Sequence, residues 1–481
     1  MLRFEMFVGS RMRCPRIHRR LAFASVVGSC FLLAPFIACS HVPTPSRPEP
    51  GTDVAIAPAA ASSPRTALSI AGSPTDGPAP VPPSIPAATS RPGSLTRYRV
   101  GPLYSPMTRA VVDRLKAVLA GSKGRRNVFM KVGDSITISN HFLKCFAEQP
   151  IDLGEYGHLE PTFRFFNEGY LGRPKTSFDR ASMSTRVGWT ARDPRQGSPS
   201  PLDKEWYGTQ PAFAFLMFGT NGSTLDAVRE FERELLLDVD WLLARGVIPL
   251  MSTVPPKLRK PASSAAIPDF NAVVRVIAQA RQLPLMDYHR ALQAIPSHGL
   301  ADDGVHPRPH IVGSQGRGCW LTPEALLAGM NVRNLLALTT LDRMRRFVIE
   351  DAPVEGDPPG LAGEGTSSSP WVIDELPFVD VGEALRAAPK RLACGAEASA
   401  SVEYVLELPA PVRLRTRVFG DPGVHVRAAW LSDRGECLAD ASTDVEVVLP
   451  QGVSRLEVSS GAPEGPRPGA PGWRLTIVPV E

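Results

Sequence analysis

The stretch "NVFMKVGDSITISNH", residues 127–141, decides how the chain is read. Val128, Phe129, Met130 and Val132 make a short apolar run of strand character, which passes through Gly133-Asp134-Ser135 straight into a helix-like segment. Ser135 at that junction has two readings. It is a helix cap, its hydroxyl serving the first turn, or it is a nucleophile at the carboxyl edge of a parallel sheet. Ligands bind at that edge in open α/β folds, and a helix start there favours developing negative charge.

The flanking sequence supports such a sheet. "FRFF" (163–166), "AFAFLMFG" (212–219), "VIPLMSTV" (247–254) and "LPLMDY" (283–288) read as further strands, apolar enough to be covered on both faces. Between them lie amphipathic segments. "AVVDRLKAVLAG" (110–121) places Val111, Val112, Leu115, Val118 and Leu119 on one helical face, "STLDAVREFERELLLDVDWLLARG" (223–246) is capped by Ser223 and stopped by Gly246, and "PDFNAVVRVIAQARQ" (268–282) follows. A final helix is expected to begin at "LTPEALL" (321–327), with Thr322 as cap. Strands alternating with helices predict an α/β domain, a three-layer flavodoxin-like parallel sheet, over residues 97–351. Residues 352–369 are a linker by composition. From 370 to 481 short alternating runs separated by turn residues predict a small antiparallel β-sandwich.

The chain's start has a different character. Six arginines precede the apolar run 21–38, which ends in "FIACS" (36–40), the layout of an export signal over residues 1–39. Phe36-Ile37-Ala38-Cys39 resembles a bacterial lipobox, with Phe where Leu is usual. The resemblance implies a lipid on Cys39, a membrane held through it, and a place in the cell envelope, the outer membrane ahead of the inner. Residues 40–96 are rich in Pro, Ala and Ser, with 13 prolines between His41 and Tyr98. Such a composition cannot offset its ordering entropy, so an extended tether is expected. Outside residues 1–38 basic and acidic residues balance at 47 each, so the chain's formal +5 charge does not point to a nucleic-acid partner. Four cysteines remain beyond the signal, Cys145, Cys319, Cys394 and Cys437, an even number without metal-site spacing, and their order suggests one bridge per domain.

Three blocks join Ser135 as candidate chemistry: "FFNEGYLGR" (165–173), "MFGTNGS" (217–223) and "ADDGVHP" (301–307). Together with Gly133-Asp134-Ser135 they resemble the SGNH (GDSL-type) hydrolase family, in the family's block order. The resemblance implies Ser135 as nucleophile, His306 as general base and Asp303 as its orienting acid. It implies an oxyanion hole formed by the N–H of Ser135, the N–H of Gly172 and the side-chain amide of Asn221. A neutral hydroxyl needs a base in reach, the base needs an orienting carboxylate, and a tetrahedral oxyanion needs aimed donors. Leu171-Gly172-Arg173 departs from the small polar residue usual before that glycine, and Gly222 replaces the acid usual after Asn221. Asp302 is the rival for Asp303.

The expected activity is hydrolysis of ester-linked acyl groups on a glycan or lipid outside the cytoplasm, by a monomer that needs no cofactor or metal. A non-catalytic polysaccharide-binding lipoprotein and an acyltransferase using the same residues are the alternatives. His306 and His310 hint at a metal, but Pro307 and Pro309 forbid the helix that would align them. "VGWTARDPRQGSPSPLDKEWYGTQ" (187–210) is a lid or packed covering, and His141 and His289 are solvated or capping. The 370–481 part faintly resembles the pre-peptidase C-terminal type of sandwich. With Ser135 and His306 neighbours at one sheet edge, a Cys145–Cys319 bridge between their flanking segments is expected.

Overall fold

A computed structural model describes residues 95–480 except 148–149, 173–174, 383–389, 392–393, 395–396, 399 and 462–471. The signal, Cys39 and nearly all of the expected tether lie outside the described residues. Among the described residues no helix is long and apolar enough to cross a membrane.

The α/β domain begins with α1 (Arg109–Ala120), capped by Thr108, whose side chain accepts from the Val111 N–H. β1 (Arg125–Gly133) leads into the one-turn helix α2 (Ser135–Ile138). Then come α3 (Glu160–Asn167), α4 (Pro201–Thr209), β2 (Pro211–Met217), α5 (Val228–Leu243), β3 (Ile248–Ser252), α6 (Pro261–Arg281), β4 (Leu285–Met286), α7 (Tyr288–Gln293), a β5–β6 hairpin (Ile311–Val312, Gln315–Gly316) and α8 (Gly329–Arg343). The sheet runs β1-β2-β3-β4, all parallel. On the open edge of β1 an extended segment takes the place of a fifth strand, through a parallel bridge between Thr185 and Gly133. This is the expected flavodoxin-like arrangement, and β2 and β3 are buried along their whole length.

Two expectations fail locally. "FRFF" is helical, part of α3, because Thr162 and Phe166 fall four residues apart on one buried face and Pro161 opens the first turn. "LTPEALL" makes only a short 3₁₀ turn over Ala325–Leu327, and α8 starts at Gly329.

The sandwich is built from β7 (Trp371–Val372), β8 (Phe378–Gly382), a β9–β10 pair (Lys390–Arg391, Glu397–Ala398), β11 (Ala400–Leu408), β12 (Val412–Gly420), β13 (His425–Ser432), β14 (Cys437–Ser442), β15 (Asp444–Leu449), β16 (Gly452–Gly461) and β17 (Trp473–Pro479). Its main sheets run β14-β13-β16-β11-β7 and β15-β12-β17-β8, antiparallel except where β7 meets β11. The second sheet lies against the α/β domain. Val379, Val381, Phe419 and Val478 join that domain's apolar core, and Arg474 meets Glu232 of α5 at 2.7 Å. Asp269 of α6 takes both Arg415, at 2.7 Å, and Arg417. All three are buried, and without the Asp269 carboxylate Arg415 keeps only Glu446, at 3.1 Å, and Arg417 only Asp444, at 2.8 Å. Asp269→Asn is expected to cost about 2 kcal/mol in a denaturant titration, the scale of a buried hydrogen bond to a charged group; a cost under about 0.5 kcal/mol would show that the docking does not depend on it.

Both expected bridges form, Cys145–Cys319 with Cα atoms 5.6 Å apart and Cys394–Cys437 with Cα atoms 5.7 Å apart.

Candidate active site

The GDS junction resolves the question of the cap. Asp134, not Ser135, is the N-cap of α2; its Oδ1 accepts from the Ile136 N–H at 3.0 Å. Ser135 stands at the first helical position with its hydroxyl unused by the turn, and its Oγ lies 2.9 Å from His306 Nε2. Gly133 is required here, since a Cβ would collide with the Thr137 side chain and come within 2.8 Å of the Met217 carbonyl.

His306 Nδ1 is 2.6 Å from Asp303 Oδ2, while Asp303 Oδ1 accepts the N–H groups of Val305 and His306 at 2.9 Å each. Burial pushes the Asp303 carboxyl up; the N–H and imidazole of His306 and the N–H of Val305 outweigh it and hold the group down at about 2. An ionised carboxylate only accepts, so the imidazole proton sits on Nδ1 and Nε2 is left to accept from the Ser135 hydroxyl. The His306 and Asp303 side chains are 45% and 49% exposed, so this edge of the sheet is an open surface. Asp303, rather than Asp302, meets the imidazole.

Asn221 and Gly172 have different fates. Asn221 lies in the loop after β2 and donates one amide hydrogen to the Trp189 carbonyl at 3.0 Å, the other having no acceptor among the described residues. Gly172 belongs to a turn at the far end of β1. The Tyr170 carbonyl accepts from Arg125, the first residue of that strand, and a Cβ on Gly169 would collide with the Asn127 carbonyl. The structure does not bring Gly172 to Ser135. The physical reason is the helical α3: without a strand there, the chain reaches the sheet edge only later, through residues 182–186.

That later segment carries a different glycine along the edge of β1. Gly133 donates to the Ser184 carbonyl at 3.1 Å and Arg186 donates to the Gly133 carbonyl at 3.2 Å. Two residues on, Gly188 adopts φ +82 in open space, and the carbonyl held by Asn221 belongs to the next residue, Trp189. Among the described residues the N–H groups of Ser135 and Gly188 have no acceptor.

The rest of the 187–210 segment is packed covering. Arg195 reaches Asp238 of α5 at 2.7 Å, and Ser200 and Asp203 form a capping box on α4. His289 is held by the Val254 carbonyl at 3.2 Å, and burial pushes its imidazole pKa down. Helix α8 ties the loops that flank the triad. Asn334 donates to the carbonyls of His141 and Gly318 and accepts from the Leu143 N–H; Asn331 accepts from the His310 N–H and donates to the carbonyls of Arg317 and Trp320.

No family model and no curated protein matches the chain. Solved structures similar to it include a G-D-S-L family protein from Desulfitobacterium hafniense, 11% identical over 44% of this chain and 99% of that one, with a TM-score of 0.29. A two-domain esterase active on acetylated mannans is 15% identical over 78% of this chain and 95% of that one, with a TM-score of 0.28. An acetylxylan esterase from Geobacillus stearothermophilus is 17% identical over 46% and 96%, with a TM-score of 0.29. Likenesses at these scores carry no functional weight, and the chemistry of this chain rests on the geometry of its own site.

Proposed function

We propose that the chain is a serine ester hydrolase acting on acyl groups outside the cytoplasm. The observation that carries this reading is the continuous line from Ser135 Oγ through His306 to Asp303, 2.9 Å and 2.6 Å, with the cap position taken by Asp134. Ser135 Oγ attacks the ester carbonyl as its proton passes to His306 Nε2. The alkoxide leaves with that proton as the alcohol, and water, deprotonated by the same nitrogen, releases the acid and restores Ser135. Asp303 stays ionised and steadies the imidazolium. In this reading the tetrahedral oxyanion is met by the N–H of Ser135, the N–H of Gly188 in place of Gly172, and the free amide hydrogen of Asn221.

Export is favoured by the signal layout and by two disulfides, which persist in oxidising compartments. The open sheet edge suits an acyl group carried on a large partner, a glycan or lipid. The sandwich has no exposed aromatic face for stacking on sugars: Trp371, Phe378, Tyr404, Phe419, Trp430 and Trp473, its whole aromatic complement, are buried. It is a docked buttress in this reading.

Hydrolysis of acetate and longer-chain aryl esters by the chain from Pro80, which contains every described residue, tests the proposal; no turnover of any ester would overturn it. Asn221→Ala is expected to lower kcat about 10²-fold, and an unchanged kcat would remove Asn221 from the oxyanion hole. Because the Asp303 carboxyl is held down at about 2, the orienting carboxylate should stay ionised through an activity profile, and a loss of activity traced to its protonation above about pH 4, the ordinary range of an aspartate, would contradict this.

A further inference from the structure

The one-turn helix that carries Ser135 cannot support itself. A helix this short leaves most of its N–H and carbonyl groups unpaired, and a single turn is unfavourable without outside contacts. Its N-terminal side is met by Asp134. Its carbonyl side is met from below by Arg333 of α8, which donates to the Ile136 carbonyl at 2.7 Å and to the Thr137 hydroxyl at 2.9 Å. Arg333 is 1% exposed, lies 3.7 Å over the Phe142 ring, and forms no ion pair among the described residues. A second buried cation holds the neighbouring loop in the same manner. Lys257 Nζ donates to the Thr220 carbonyl at 2.5 Å and to the Ser223 hydroxyl at 3.1 Å, on either side of Asn221, and it too forms no ion pair.

Burying a cation without a carboxylate in contact is costly, so a fold keeps one where its hydrogen bonds are needed. Here two such cations lie under the two loops that bear the chemistry, and each grips a backbone carbonyl there. The carboxylate between them is Asp134. Burial pushes Asp134 up and burial pushes both cations down, Arg333 to about 10, while Coulomb attraction between Asp134 and each cation works the other way.

We propose that Arg333 is a positioning residue for the nucleophile: it fixes the Ser135 turn so that Oγ meets His306, as Lys257 fixes the loop of Asn221. The proposal rests on the reading of Ser135 as nucleophile, and it concerns kcat rather than substrate affinity, because neither cation reaches the open surface.

The test compares the chain from Pro80 with its Arg333→Met, Arg333→Lys and Thr137→Val variants, measuring kcat and KM on a soluble aryl acetate, the rate at which a small fluorophosphonate labels Ser135, and the thermal midpoint. Arg333→Met should lose roughly 10²-fold in both kcat and labelling rate with KM little changed, the scale expected for a nucleophile misplaced by about 1 Å. Arg333→Lys should recover part of the loss, since an ammonium reaches one acceptor but lacks the planar fork for both. A labelled parent and an Arg333→Met variant labelled equally fast would overturn the proposal alone, whatever the midpoint does. If Arg333→Met does not fold, unchanged labelling in both Arg333→Lys and Thr137→Val overturns it, and slowed labelling with an unchanged midpoint in Thr137→Val supports it. A parent that is neither labelled nor active would overturn the nucleophile reading as well.

Discussion

Ser135→Ala is expected to lose ester hydrolysis by about 10⁵–10⁶-fold, with the fold and the thermal midpoint unchanged. The size follows from the absence of any second route: with Oγ gone, His306 Nε2 has nothing to deprotonate but water, and what remains is the help given by oxyanion donors and binding. The stability should hold because Ser135 is only half-buried, because its Oγ has His306 as its partner, and because Asp134 rather than Ser135 caps the helix. Turnover within tenfold of the parent would place the chemistry elsewhere on the molecule.

Replacing Cys145 and Cys319 together with serine is expected to cost about 5 kcal/mol of stability, the chain-entropy value for a bridge across 174 residues of separation. The bridge joins the segment after α2 to the segment after His306, and Asn334 of α8 already spans the same gap through His141 and Gly318, so the loops stay in register only while α8 stays docked. Activity should therefore survive at low temperature and disappear earlier on heating. Denaturant titration of the oxidised parent and the double variant measures the cost, and a difference under about 1 kcal/mol would show that the polar contacts of α8 carry the connection alone.

The sheet was legible because its central strands are continuous apolar runs, which only burial on both faces explains. Ser135, Asp303 and His306 were singled out by the resemblance of their blocks to the SGNH family in its block order, with only Ser135 placed by local pattern, directly after a strand. Gly172 was misplaced for the opposite reason. Its block was anchored to "FRFF", four residues whose period is ambiguous at that length, and the structure resolves them as a helix that leaves Gly172 at the far end of β1. Gly188 was hidden in a long polar segment because its strand is reduced to a single bridge at Thr185. Arg333 and Lys257 carry no motif at all. Their role exists only in three dimensions, as buried cations gripping carbonyls far away in the chain. The docking of the sandwich was equally invisible, since Arg415, Arg417 and Asp269 read as ordinary surface charges until the two parts meet.

The most direct test of the central claim, that His306 activates Ser135 for attack on an acyl group, is peptide mapping by mass spectrometry after a small fluorophosphonate has reacted with the chain from Pro80. The account predicts a single adduct, on Ser135, formed rapidly in the parent and almost absent from His306→Ala. No adduct on Ser135, or one that forms equally fast without His306, would contradict it.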